Sequence, residues 1–437
     1  MNKDRFKGYD PDVRQLVLRF EQQRDGHNVF FDVDQLEIII DYYLEVYDIE
    51  GLQSAVQYAE SLFPLSDSIR MRRANLYSVQ GRYKEAFAIL TELEHNNPDD
   101  TDVCYSLGTL HSVMGNPSKA IEYYLKAAAD GCQLDMIYGN IADEYDRMGN
   151  TDQSVIYYLE SIKINPDEPR SLYNLASTWN ETGAILEAED FFSKHVSQHP
   201  YCSNGWYCLG SVYYWLKNWS KAADAFEYAI VVDPDKIDSY FALSDCYSAL
   251  GQTGKAVQAL HDALPLSNNP AEILYRMGYV YQQAGNYHTA TTYYRKAVRE
   301  QPSHADAWFG LGECSMHLGY TEEAISHLLR AIDQDPDVDD FWLTLADVYI
   351  SLDRLPEATA LLENSLPEPA YPYPFFARLC FCYFRTGRRN QLRNLILNES
   401  FGIGDYAAHV LSDYPELAAD PEVVDLFHNQ KQNPANS

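Results

Sequence analysis

The chain has 437 residues, 46% of them hydrophobic and 22% charged, proportions ordinary for a water-exposed globular protein. With 33 Lys and Arg against 64 Asp and Glu, its formal net charge is −31, and such a surface repels nucleic acid and anionic lipid, both of which need clustered cations. The opening residues MNKDRFKGYDPDVRQL lack an apolar leader core and no run of about 18 apolar residues occurs, so the chain is expected to be cytoplasmic, neither secreted nor membrane-inserted.

Asp10, Pro11 and Asp12 carry the capping chemistry of a helix start, and Val13, Leu16, Val17 and Phe20 share one face until Asp25 and Gly26 end it; residues 1–34 are read as this helix and a connector. A helix-rich pair follows from about Gln35 to Phe63, with a packing alanine at Ala55. It runs short to Pro64 and is read as a divergent hairpin over 35–66. From Asp67 a pattern of small and large apolar residues recurs every 34 residues, restarting at Thr101, Asp135, Pro169, Ser203, Ile237, Ala271, Ala305, Asp339 and Tyr373.

Position eight of the period is always small (Ala74, Gly108, Ala142, Ala176, Gly210, Ser244, Gly278, Gly312, Ala346). So is position twenty, from Ala86 and Ala120 through Ser154 to Ala358. Small residues there let two antiparallel helices approach, while tyrosines at position eleven, such as Tyr77, Tyr213 and Tyr349, fill the space beside them. A turn glycine falls at position fifteen, replaced only by Lys217 and Asp353, and a proline at thirty-two, replaced by Cys132, Asn268 and Ala370. In the clearest copy Trp206, Leu209, Gly210, Tyr213, Ala222, Phe226, Ala229 and Pro234 occupy the defining slots.

These residues closely resemble the tetratricopeptide repeat. The resemblance implies an all-α, right-handed α-solenoid superhelix of about ten to eleven helical hairpins, forming one quasi-linear domain. Nine regular repeats are expected over 67–372 and a degenerate tenth over 373–398. Short capping helices (Asp405 to Ser412, and Asp420 to about Phe427) are expected over 399–428, and a disordered tail over 429–437.

No catalytic or cofactor signature rises above this background, so the chain is read as a non-enzyme with no cofactor and no metal. The segment ALGQTGKA (249–256) only superficially resembles a phosphate-binding loop, since it lacks the preceding strand and the following hydroxyl. His195 and His199 share a helix face without a third ligand, and Cys380 and Cys382 lack a second pair. Cys246, Cys314 and Cys382 recur at position ten as small packing residues.

In the resembled family the first helix of each hairpin lines a concave groove through slots two, five, nine, twelve and thirteen. Here slot five carries Tyr105, Tyr173, Tyr207, Phe241, Tyr275 and Phe309, with Tyr214 and Trp215 at slots twelve and thirteen of the Ser203 repeat. Slot nine adds Asp245, Tyr279, Glu313 and Asp347, and Arg276, at slot six, is the one firm cation set against them. The first-turn acids Asp238, Glu272, Asp306 and Asp340 are accounted for by the helix dipole. The carboxylate clamp of chaperone-binding repeats is missing: Asn75 stands with Met71, Asp102 and Ser106 in place of the clamp's cations.

The expected partner is therefore a protein or peptide presenting an extended basic or apolar segment, with no nucleic acid and no membrane. Two other roles remain open at this point: a peptide sensor or enzyme regulator working through superhelix pitch, and a homo-oligomeric assembly factor.

Overall fold

Hydrophobic periodicity becomes helix throughout the computed structural model, which describes residues 10–24, 29–365, 372–398 and 406–430, with no strand among them. None of these helices is long and apolar enough to cross a membrane. The chain divides into two compact units, Met1–Asp233 and Pro234–Ser437.

Eight of the ten first helices begin at the residue the period predicts, among them Ser203–Trp215 and Asp339–Ser351. The other two start one residue early, at Leu134 and Pro270. Both follow hairpins without the proline at slot thirty-two, where the second helices Pro117–Ala127 and Thr253–Ala263 stop after 11 residues and tighten into 3-10 turns. The third replacement, Ala370, lies outside the described residues.

The first hairpin corrects the sequence reading. Its helices Val33–Glu45 and Ile49–Leu62 stand in full 34-residue register with Asp67–Val79, so Pro64 occupies slot thirty-two and the unit is not short. The small residue has simply moved: Leu52 fills slot twenty, and the close approach happens at Gly51, where a Cβ would lie 2.4 Å from the Tyr43 ring. At the carboxyl end Pro415–Ala418 forms an additional one-turn helix between Tyr406–Asp413 and Pro421–Gln430, so Asn429 and Gln430 are helical; residues 431–437 lie outside the described set.

Size at slot eight follows the ring it meets. A Cβ on Gly108, Gly210 or Gly278 would fall 2.6–2.7 Å from Tyr124, Phe226 or Tyr294 of the second helix. The proline slot has a second use. Trp206, Trp308 and Trp342 at slot four each donate the indole N–H to the carbonyl of the preceding proline (Pro200, Pro302, Pro336) at 2.9 Å, and the Tyr240 hydroxyl reaches Pro234 at 3.0 Å. Ring and turn are thereby locked together between hairpins.

Turn residues adopt left-handed φ at every described slot fifteen, including the non-glycines Tyr47, Lys217 and Asp353 (φ 56°, 57° and 57°). A side chain there costs about 1–2 kcal/mol, against about 0.5–1 kcal/mol of extra chain entropy for glycine. Lys217→Gly is therefore expected to stabilise the chain by up to about 1 kcal/mol in a denaturant melt. Asp353→Gly should show less, because Asp353 also pairs with Arg385 at 3.1 Å.

None of the eight cysteines forms a disulfide, and seven of them are buried, Cys132 being exposed. Burial pushes the Cys246 and Cys314 thiols up to about 12.

Candidate functional site

The curvature of each unit decides which surface can receive a ligand. First helices approach the first helices of the next hairpin, as Pro169–Glu181 does with Ser203–Trp215 in unit 1 and Pro270–Gln283 with Ala305–His317 in unit 2. Second helices make no comparable approach to one another among the described residues. The first helices thus line the inner face of each unit, where the sequence placed the candidate residues.

Unit 1 holds Tyr105, Tyr173, Tyr207, Tyr214 and Trp215. The slot-five rings are half-buried and lean on the large residue of their own second helix, Tyr105 on Tyr124 at 5.7 Å and Tyr207 on Phe226 at 5.4 Å. They also reach across hairpins: Tyr173 packs edge-on against Tyr207 at 5.5 Å and donates its hydroxyl to Asn204 at 2.8 Å. Trp215 is half-buried against the core cluster that contains Tyr158, Phe192 and Leu209. Tyr214 is 36% exposed, its ring edge-on to Trp219 at 4.8 Å. The five rings are not equivalent: four are woven into packing and Tyr214 faces outward.

Unit 2 holds Phe241, Asp245, Tyr275, Tyr279, Phe309, Glu313 and Asp347. Tyr275 leans on Tyr294 at 5.8 Å and on His304 at 4.9 Å, with burial pushing its phenol up to about 12. Phe309 packs on Phe341 at 4.9 Å. Tyr279 is 47% exposed.

The three slot-nine acids differ sharply. Asp347 is held by both arms of Arg378 at 2.7 Å, a cation from the tenth hairpin that the sequence reading did not weigh. Glu313 accepts from Gln282 at 2.9 Å, and Gln282 in turn accepts from the Tyr294 hydroxyl at 2.6 Å. Asp245 receives no hydrogen bond among the described residues. Arg276, its nearest cation, is turned to Glu272 at 2.7 Å and lies over the Phe241 ring at 4.4 Å. Asp245 is exposed and its carboxylate is solvated, although neighbouring protein strips part of its hydration. Burial raises its pKa above the ordinary aspartate value, opposed by Arg276.

A spacing rule connects these residues. A slot-nine side chain faces slot six of the next hairpin, 31 positions on: Asp143 meets Asn174, Asp245 meets Arg276 electrostatically, and Asp347 meets Arg378. That signal was available in the sequence.

The residues considered for other chemistry are absorbed by packing. His195 bonds the Pro166 carbonyl at 2.8 Å and stacks on Phe191, with burial lowering its pKa; Lys255 of the loop-like segment lies over Tyr247. Among the described residues no group of three His, Cys, Asp or Glu stands close enough to hold a metal ion.

The tetratricopeptide repeat description matches residues 101–129, 137–168, 203–236, 237–269, 275–339 and 321–370. No curated protein sequence matches the chain. Solved structures similar to it include a tetratricopeptide repeat protein from Parabacteroides merdae ATCC 43184 (15% identity, TM-score 0.41, covering 57% of this chain and 98% of that one). Another is the APC/C hetero-tetramer Cut9–Hcn1 (14%, 0.37, 96% and 93%). A third is YrrB, described as having an unusual peptide-binding site (22%, 0.34, 45% and 97%).

Proposed function

Because the chain belongs to the tetratricopeptide repeat family, we propose that it is a protein-interaction scaffold whose inner face holds an extended segment of a partner, with unit 2 selecting positive charge. The observation that carries this reading is Asp245. Its exposed carboxylate sits on the first-helix face with no protein hydrogen bond among the described residues, Arg276 is turned to Glu272, and partial desolvation mildly disfavours its charge. A folded chain gains nothing from an acid in that position, whereas an incoming ammonium or guanidinium does. Tyr279, exposed at the same slot of the next hairpin, offers apolar area beside it.

The pH dependence follows from the sign of the shift. The folded state binds the Asp245 proton more tightly than the unfolded chain, so this residue costs stability as pH rises from the ordinary aspartate range through its raised pKa, and the full cost is present at neutral pH. Asp245→Asn is thus expected to melt at or above the wild-type temperature at neutral pH, with no difference in acid. Its affinity for a labelled lysine-rich peptide should fall about fivefold, and the salt dependence should flatten. Asp347→Asn is the contrasting variant: it breaks the two-armed pair, leaves Arg378 with the Pro374 carbonyl at 3.0 Å, and should lose up to about 1 kcal/mol of stability. Unchanged peptide affinity in Asp245→Asn would refute the selectivity assigned to unit 2.

A further inference from the structure

A second acidic surface in unit 1 lies outside the aromatic row and outside the candidate acids of unit 2. Between the first helices Leu134–Arg147 and Pro169–Glu181 opens a cleft of about 320 Å³, walled by Asp143, Asp146, Arg147, Tyr158, Asn174, Ser177, Thr178 and Glu181. The cations around it are already spent. Arg170 pairs with Asp143 and donates to Asn140 at 2.7 Å, while Arg147 donates to Glu144 at 2.9 Å and to Ser112 at 2.8 Å. Asp143 is saturated too, accepting from the Tyr158 hydroxyl at 2.6 Å and from Asn174 at 2.9 Å.

What remains unspent is almost entirely acceptor. Neither a hydrogen bond nor an ion pair reaches Asp146 or Glu181 among the described residues, and the Ser177 hydroxyl is likewise without a partner. Thr178 is only 6% exposed and lines the cleft, and its hydroxyl makes no hydrogen bond among the described residues. The Thr178 hydroxyl is not sealed from solvent but opens onto the cleft, so an occupant of the cleft can exchange a water for a direct hydrogen bond there. Two unpaired carboxylates and two free hydroxyls, with every nearby guanidinium engaged, complement a cation. The acceptors are contributed singly from two helices and not as one flat carboxylate fork, which suits a compact ammonium with three rotatable donors better than a planar guanidinium.

We infer that this cleft is an anchoring subsite for one lysine side chain of the partner segment, held by Asp146 and Glu181 at its rim and Thr178 at its wall. The inference rests on the scaffold reading above, and the two can fail separately.

Fluorescence anisotropy with a labelled peptide of alternating Ala and Lys tests it, using the full chain. Asp146→Asn combined with Glu181→Gln is expected to weaken binding about tenfold, and Thr178→Val, which keeps the shape and removes the hydroxyl, about threefold, both with unchanged melting curves. Acetylating the lysines should abolish binding, and exchanging them for arginine should weaken it. Full affinity in both cleft variants while Asp245→Asn still binds weakly would overturn the subsite and leave the scaffold reading standing. No binding by the wild type would overturn both. Equal affinity for the arginine peptide would overturn the choice of lysine, and displacement of the peptide by spermidine at matched charge concentration would assign the cleft to a free polyamine instead.

Discussion

Tyr294→Ala is expected to lower the stability of the second unit by about 3–5 kcal/mol, the range for deleting a large buried ring. The ring is fully buried between two glycines: a Cβ on Gly278 would stand 2.6 Å from it on one side, and a Cβ on Gly310 2.5 Å on the other. Gly310 has no counterpart in the repeat pattern, and this wedge is its reason. Each glycine replaced by alanine forces the ring to move with no free direction, at a cost of about 1–3 kcal/mol. Tyr294→Phe keeps the packing but removes the hydroxyl that Gln282 accepts, so a smaller loss of about 1 kcal/mol is expected. Denaturant melts followed by circular dichroism check the series. A wild-type midpoint in Tyr294→Ala would mean that the hairpin interface can collapse around the missing ring, contrary to nearest-neighbour coupling in a repeat array.

Trp215→Ala and Tyr214→Ala should separate scaffold from ligand surface. Trp215 packs against the unit 1 core while keeping part of its surface in solvent, so its loss should cost about 2–3 kcal/mol of stability. Tyr214 points outward beside Trp219. Its truncation should leave the melt within about 1 kcal/mol of wild type and, if it anchors the partner, weaken binding by about 2 kcal/mol. The pair is read by one melting curve and one binding isotherm for each variant. A destabilised Tyr214→Ala with a normal Trp215→Ala would reverse the two assignments.

The period was legible because close backbone approach is a demand on size, and size is visible in single residues: Gly210 must be small where Phe226 arrives, in this repeat as in its neighbours. The turn at Lys217 was legible for the complementary reason, since spacing marks the position even when the residue does not. The first hairpin reads as short in the sequence because there the tight contact is made by Gly51 against Tyr43, one slot away from the position the repeat pattern assigns to it. Sequence alone also placed Asp245, Glu313 and Asp347 on one face, but not their inequality. That depends on where Arg276, Gln282 and Arg378 turn, and each has several partners within reach. The cleft in unit 1 is not legible in the sequence because Asp146 and Ser177 are unremarkable by type and gain meaning only where the arginines beside them are occupied.

The seven buried thiols and the single exposed one give the chain a chemical handle it did not need engineering to acquire. Cys132 lies in the turn that leads into Leu134–Arg147, the first wall of the lysine cleft, while burial holds thiols such as Cys246 and Cys314 protonated and out of reach of thiolate chemistry. A maleimide dye added to the native protein should therefore attach at one known position, at the opposite end of the helix Leu134–Arg147 from Asp146, roughly 18 Å along its axis.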